Sequence, residues 1–395
     1  MALSKSIKLL FLKIRALFKL LYFISFELQK VKKAKVVFFF PFYHTGGAEK
    51  VHLNIVTALN DPNNYIFFTG ESSSDNFKTQ FNRYANTYEV FDFLNRNSFV
   101  KNLFEQSIVR TLNESKNLKT IFGCGSFFFY EFLSKINDSV KKVDLVHAFS
   151  KPDYGIELAT LLFVKYLDSR VVINEKTLED FKDLYKENDL QQYQNRIVKI
   201  ENAINFREQH IEKEASVFNV GFVGRWSKEK RPEIFIEIAK RVKSGFPEID
   251  FTMIGSGMES HKEVIEKGGI KYKGEILEES LLDKMYEAMN LILVTSYREG
   301  FPLVVMEAMI KGTVPVVTNV GGLSEHIKDN FNGILIDANQ DELNLIRTFE
   351  DKIIQLYTNR ASFDLLSENA VSYAAKTFTI DRFNNQYQQL LLKLK

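Results

Sequence analysis

Two acids, Glu299 and Glu307, stand within the stretch SYREGFPLVVMEAMIKGTVPVV, Ser296 to Val317. Glu307 lies among Leu303, Val304, Val305, Met306, Ala308 and Met309. A carboxylate among apolar residues is costly unless it is paired or accepts good hydrogen bonds. Glu307 therefore either faces solvent from a helix edge or meets a ligand rich in hydroxyl groups. Pro302 suits a helix start, which leaves the N–H groups of Leu303 and Val304 as an anion site. An anion there, with a hydroxylated sugar beside each carboxylate, would use all three features. A carboxylate near a helix N-terminus also gains about 0.3–1 kcal/mol with no ligand present.

A second stretch, GFVGRWSKEKRPE, places Arg225 after a strand end and Lys230 five residues on. Two fixed cations match the two negative charges of a nucleotide diphosphate, and Arg can bind a phosphate bidentately. Lys228, Glu229 and Arg231 surround them, so a solvated charge run is the competing explanation. In FFFPFYHTGGAEK, Gly46 and Gly47 allow close backbone approach to a ligand and open a helix; a tight turn explains them equally well. The spacing is not the G-x-G-x-x-G of dinucleotide sites. Gly255 and Gly257 in IGSG are similarly non-specific. His147, in DLVHAFS, closes a strand at the edge where such sheets hold their sites; it is either a substrate contact or a satisfied polar residue. The six histidines lack zinc-ligand spacing, and no Asp-x-Asp pair offers a clamp for a metal–diphosphate.

The elements that must position these residues alternate between strand and helix. From residue 35, KVVFFFP, YIFFTG, LKTIFGCG, DLVHAF and SRVVIN are strands, with helical stretches between them. The polar stretch IENAINFREQHIEKEAS is a linker. A second run follows, with strands VFNVGFVGR, IDFTMIGSG, LILVTS and TVPVVTN. Helices RPEIFIEIAKRVKSG and PLVVMEAMIKG lie among them, and IDRFNNQYQQLLLKLK is a C-terminal amphipathic helix. This alternation predicts parallel sheets flanked by helices, in two Rossmann-like halves. The expected division is 1–33, an N-terminal helix; 34–203, a first domain; 204–378, a second; and 379–395, a helix returning to the first. Ligands of such sheets bind beyond the carboxyl ends of the strands, so a cleft between the domains is the expected site.

At 395 residues the chain exceeds one ordinary core. Its 45% hydrophobic and 26% charged residues are globular composition, and a net charge of +2 gives no global field for nucleic acid. One cysteine, Cys124, excludes an intrachain disulfide framework and suits a reducing compartment. The 36 Phe residues read as core packing. Charge is uneven: residues 1–35 carry nine basic residues against Glu27 alone, a net of +8 that leaves the remainder at −6. On a helical wheel Lys5, Lys8, Arg15 and Lys19 share one side and Leu9, Leu10, Ile14, Leu17, Phe18, Leu21 and Ile24 fill much of the rest, with Lys13 breaking the pattern. Lys13, Arg15 and Lys19 make a membrane span poor, at about 2.5–3.5 kcal/mol each. With no signal-cleavage site following, a basic amphipathic helix on an anionic membrane fits best, through residues 1–30. A core helix with a solvated stripe is the alternative.

The order Gly46-Gly47-Ala48-Glu49, Gly224-Arg225 with Lys230, Glu299-Gly300-Phe301-Pro302 with Glu307-Ala308, then GTVPVV and VGGLSEHI, resembles the family-four retaining glycosyltransferases of the two-domain GT-B fold. The resemblance is strong over about 218–330, looser over 36–205 and absent from 1–33. It implies that Arg225 and Lys230 hold the donor diphosphate, that Glu299 faces the donor sugar and that Glu307 bonds the ribose. The amides at Gly300, Phe301 and Leu303 would meet sugar and phosphate. Gly46 and Gly47 would approach the phosphate, Gly255 would line the donor, and Tyr272 to Ile276 would border the base. The implied catalytic set is Glu299, Arg225, Lys230 and His147, with no metal and no other cofactor. The partners are a nucleotide-sugar donor, a glycan or lipid-linked acceptor of cell-envelope polysaccharide or lipopolysaccharide synthesis, and an anionic membrane; nucleic acid is not among them. The expected location is cytoplasmic, on the inner face of the cell membrane. Ala203 and Asn205 depart from the family's usual linker, and Arg231 replaces a usual glycine. A non-catalytic nucleotide-sugar-binding scaffold and a GT-B sugar epimerase are the competing functions.

Overall fold

A computed structural model describes residues 15–150, 155–206, 213 and 217–393. The expectations for Lys5, Lys8, Leu9, Leu10, Lys13 and Ile14, and for much of the polar linker, fall outside the described residues. The chain divides into two compact units, one of 1–173, 178–200 and 381–395, the other of 174–177 and 201–380.

In the first unit seven parallel strands form one sheet. They are β1 (Val36–Phe40), β2 (Tyr65–Phe68), β3 (Asn86–Glu89), β4 (Thr120–Cys124), β5 (Lys141–Val146), β6 (Ser169–Val172) and β7 (Ile197–Lys199). Their order is β3-β2-β1-β4-β5-β6-β7, with Val37 opposite Tyr65 and Val36 opposite Thr120. The central strands are buried throughout because both faces are covered, which is why they read as continuous apolar runs. β3 and β7 were not legible as strands: NTYE is polar and IVK is three residues long, as suits sheet edges. Aromatic packing fills one face, with Phe39 against Phe67 at 5.3 Å and Phe23 against Phe104 at 5.5 Å between ring centroids.

Helix α1, residues 15–31, belongs to this core. Ala16, Leu20, Phe23 and Val31 are buried, at successive spacings of four, three and eight residues that keep one face inward. The basic segment's lone acid, Glu27, is also buried; Tyr65 donates to it at 2.9 Å and Lys30 at 2.8 Å. The described part of the N-terminal segment is therefore not a separate interfacial domain. Its apolar residues divide between the core and a second, outward face of Phe18, Leu21, Tyr22 and Phe26. Among the described residues no helix is long and apolar enough to cross a membrane. The C-terminal helix, Ile380–Leu392, packs Phe383, Tyr387 and Leu391 inward, and its Leu391 carbonyl accepts from Thr120 at 2.7 Å.

The second unit holds six parallel strands: β8 (Asn219–Val223), β9 (Asp250–Ile254), β10 (Lys271–Tyr272), β11 (Leu291–Val294), β12 (Val314–Thr318) and β13 (Ile334–Ile336). Their order, β10-β9-β8-β11-β12-β13, is the doubly wound pattern with a switch point between β8 and β11. Lys213, from the linker, donates to the carbonyls of Tyr286, Glu287 and Met289, which end the helix Glu279–Ala288. The ammonium form complements the negative end of the helix dipole, while burial pulls Lys213 down to about 7.

Candidate functional site

At the carboxyl edge of the second sheet, the loops following β8, β11 and β12 meet. After β8 come Gly224 and Arg225, then a turn in which Arg231 adopts φ 52° before the helix Pro232–Gly245. After β11 come Thr295 to Pro302, then the helix Leu303–Ile310, opened by Pro302. Thr295 Oγ1 donates to the carbonyls of Lys230 and Arg231 at 2.9 and 3.1 Å, and the Tyr297 N–H donates to the Glu229 carbonyl. These bonds stitch the two loops at the switch point.

Lys230 and Glu299 are brought together. Lys230 Nζ lies 2.6 and 2.8 Å from Glu299 Oε1 and Oε2, and Ser296 Oγ donates to Oε1 at 2.6 Å. Arg225 stands apart: it is exposed, and the acid beside it is Glu229 at 3.7 Å. The Gly300 carbonyl accepts from the Gly322 N–H at 2.8 Å. At Gly321, φ is +55° and an added Cβ would lie 1.7 Å from the Glu299 carbonyl oxygen, so the loop after β12 fixes the Glu299 backbone. Glu325 of the same segment accepts from the N–H groups of Glu175 and Lys176.

Glu307 is half-buried, and the Tyr286 hydroxyl donates to its Oε2 at 3.0 Å. Burial, with Glu307 beside it, pushes the Tyr286 phenol up, so it remains a neutral donor. The acid among apolar residues thus has a partner in the folded chain, before any ligand; reading the sequence missed Tyr286, which lies 21 residues away with no spacing signal. Ser296, the last residue of LILVTS, was missed too, although its position three residues before Glu299 was visible. Phe301 turns its ring into the core against His326 and Phe378, at 4.5 and 5.3 Å, and Leu303 is buried.

Gly255, at φ +146°, touches the loop after β8: a Cβ there would sit 1.8 Å from the Gly224 carbonyl oxygen. Its N–H donates to the Gly274 carbonyl at 2.9 Å, which joins the ends of β9 and β10. Tyr272 is half-buried with Lys262 above its ring, and Ile276 packs on the cluster around Ile254, Tyr286 and Ala308.

In the first unit, Gly46 precedes the helix Gly47–Leu59. A Cβ on Gly46 would meet the Glu49 carboxylate, whereas nothing lies within 4 Å of one on Gly47. His147 follows β5, and its Nε2 lies 3.1 Å from the Nε2 of His52. Burial pulls His147 down to about 4 and His52 well below the usual histidine value, so both imidazoles are neutral.

Two parallel-sheet units of doubly wound order, together with the structural likenesses below, give the GT-B architecture, and residues 202–377, nearly all of the second unit, match the family described as glycosyl transferases group 1. The chain is similar over part of its length to the D-inositol 3-phosphate glycosyltransferase of Corynebacterium urealyticum, 28% identical over 170 residues, 40% of this chain and 39% of that protein. The protein of the same name from Salinispora tropica is 34% identical over 133 residues, 30% of this chain and 28% of the relative. The aligned stretch thus spans less than two fifths of either relative. Among solved structures, HepE of Anabaena in complex with UDP superposes with a TM-score of 0.70 at 17% identity, covering 91% of this chain and 99% of HepE. TarM superposes with 0.72 at 15% identity, covering 91% and 99%.

Proposed function

We propose that this chain is a retaining glycosyltransferase that moves a sugar from a nucleotide-diphosphate sugar to a glycan or lipid-linked acceptor of cell-envelope polysaccharide or lipopolysaccharide. The observation that carries the reading is the Lys230–Glu299 pair, held by Ser296 at the switch point and followed by a helix N-terminus. The pair sets a diphosphate-binding cation beside a carboxylate suited to sugar hydroxyls. The family match over 202–377 supports it, as does HepE, which has been solved with UDP and with UDP-glucose.

In this reading Arg225 and Lys230 grip the diphosphate, and Glu307 accepts from the ribose hydroxyls while Tyr286 orients it. The backbone N–H groups near Gly300 and Leu303 receive phosphate and sugar oxygens. The bond between the sugar's anomeric carbon and the phosphate oxygen breaks as an acceptor hydroxyl attacks from the same face. The acceptor's proton passes to the departing phosphate. Lys230 stabilises the negative charge that develops on that phosphate, a contribution of a few kcal/mol to the barrier. No metal takes part in the transfer. The enzyme works on the inner face of the cell membrane, where a lipid-linked acceptor is presented.

The test is turnover of a panel of nucleotide sugars, UDP-sugars first, with the anomeric configuration of the product read by NMR. Retention in the presence of a strong chelator is expected. Hydrolysis without transfer to any acceptor, or an inverted product, would each remove the corresponding part of the proposal, as would turnover that stops on chelation and returns with magnesium or manganese but not with zinc or cobalt.

A further inference from the structure

Two of the six histidines and the lone cysteine converge in the first unit. His52 comes from the helix Gly47–Leu59, Cys124 ends β4, and His147 follows β5. One ligand atom from each lies within 4.8 Å of the others. The two Nε2 atoms are 3.1 Å apart, close to the roughly 3.3 Å edge expected between two nitrogens on tetrahedral zinc at about 2.0–2.1 Å. We propose that His52, Cys124 and His147 form a binding site for a divalent transition metal, zinc by ligand chemistry, with a water in the fourth position.

Several features favour this over simple packing. The set is two imidazoles and one thiol, the nitrogen and sulfur donors that zinc selects. The 3.1 Å contact places one Nε2 proton between the two rings, and a metal would take its place once that ring carries its proton on Nδ1. Phe40 stacks on His52 at 4.3 Å and 2°, which fixes the plane of that imidazole. His52 and Cys124 are closed off, but His147 is only partly buried and leaves a side for entry. Binding transfers the Cys124 thiol proton to solvent and forms a metal–sulfur bond, after an inward shift of order 1 Å by the sulfur. The ion would tie the helix after Gly46-Gly47 to the carboxyl ends of β4 and β5. His147 would then be a ligand and not a sugar contact.

The probe is cobalt(II), titrated into the full chain after chelator treatment, with zinc(II) as competitor. One cobalt per chain is expected, with a thiolate-to-cobalt band in the near ultraviolet, intense tetrahedral bands in the visible, and loss of both on adding zinc. Cys124→Ser should abolish the thiolate band, and His52→Gln should weaken binding at least 100-fold. A wild-type chain that shows no thiolate band at micromolar cobalt overturns the proposal, as does a band that survives Cys124→Ser. Should either variant fail to fold, the wild-type spectrum alone decides. The readout is optical and needs no sugar transfer, so its failure is separable from failure of the glycosyltransferase reading.

Discussion

Lys230 and Glu299 form a two-pronged ion pair: one ammonium within 2.8 Å of both carboxylate oxygens, between loops on adjacent strands. On the proposed function the pair would join stability to turnover, because each partner neutralises the other in the free chain. The Glu299 side chain is only 6% exposed, so removing Lys230 leaves a nearly buried anion with Ser296 as its chief remaining donor. Lys230→Ala should therefore cost about 1–3 kcal/mol of stability in addition to orders of magnitude in turnover. Lys230→Ala/Glu299→Ala should recover part of that stability and none of the turnover. A denaturant double-mutant cycle decides; strictly additive single effects would show the two residues to be uncoupled.

Arg225 is the contrasting case. Its side chain is 58% exposed and its contact with Glu229 is long. Arg225→Ala should leave stability within about 0.5 kcal/mol of the parent. It should weaken UDP binding by tenfold or more, measured by calorimetry, because a bidentate phosphate donor is lost. Arg225→Lys should recover only part of the affinity, since it restores charge without the planar fork. Parent-like affinity in Arg225→Ala would remove this residue from the diphosphate.

The Tyr286–Glu307 bond separates a ligand role from a folding role. Tyr286→Phe removes one donor and should cost about 1 kcal/mol of stability, with a several-fold loss of UDP affinity. Glu307→Ala should lower UDP affinity further, because the ribose loses its acceptor. If Glu307→Ala binds UDP as the parent does, the carboxylate serves only to satisfy Tyr286.

The second unit was the more legible half because its motifs coincide with strand ends. The run LILVTS is β11 with two residues of loop, Pro302 does stop the strand-end loop and open a helix, and Gly255 and Gly321 are glycines because carbonyls press on them. What escaped were contacts closed by the fold. Ser296 and Tyr286 meet their acids through tertiary geometry, and His52, Cys124 and His147 come from three elements, so no ligand spacing exists to be read. For helix α1 the membrane helix and the core helix stayed open as alternatives for a related reason. The wheel gave one broad apolar side, but a helix that packs between a core and solvent divides that side in two, and only the partner residues Phe67, Phe93 and Phe104 decide where.

Acid should loosen that helix. Lys19 donates to Asp92 at 2.7 Å and Arg96 donates at 3.2 Å. Burial opposes the charged carboxyl, but the hydrogen bonds and charges of Lys19 and Arg96 outweigh it and hold Asp92 below its ordinary 3.8. The folded value is depressed, so the stabilisation is full above 3.8 and is lost as pH falls through the folded value. Amide exchange over residues 15–31, corrected for intrinsic rates, should speed up on going from about pH 5 to pH 3, and Asp92→Asn should exchange fast at both. Equal protection of the parent at the two values would mean the ion pair does not anchor the helix.

The outward face of the same helix carries the membrane prediction. Phe18, Tyr22 and Phe26 recur every four residues and are 67%, 55% and 61% exposed, with Leu21 beside them. Scattered exposed apolar residues mean little, but a contiguous stripe of four marks a contact surface. Arg15, Lys30 and Lys33, all exposed, flank it, which suits an anionic surface. Because Leu20 and Phe23 are core residues, deleting residues 1–30 would strip the first unit and is not a clean test. Phe18→Ser/Tyr22→Ser/Phe26→Ser is cleaner: it leaves the buried face intact and should not shift the melting temperature, whereas Phe23→Ser should lower it sharply. The parent should sediment with anionic vesicles, less with neutral ones and less in high salt. The triple variant should lose about tenfold or more in partitioning, since each large apolar side chain contributes up to roughly 1.5–3 kcal/mol on full burial and less at shallow depth. Equal sedimentation of parent and triple variant would take this stripe out of any membrane contact.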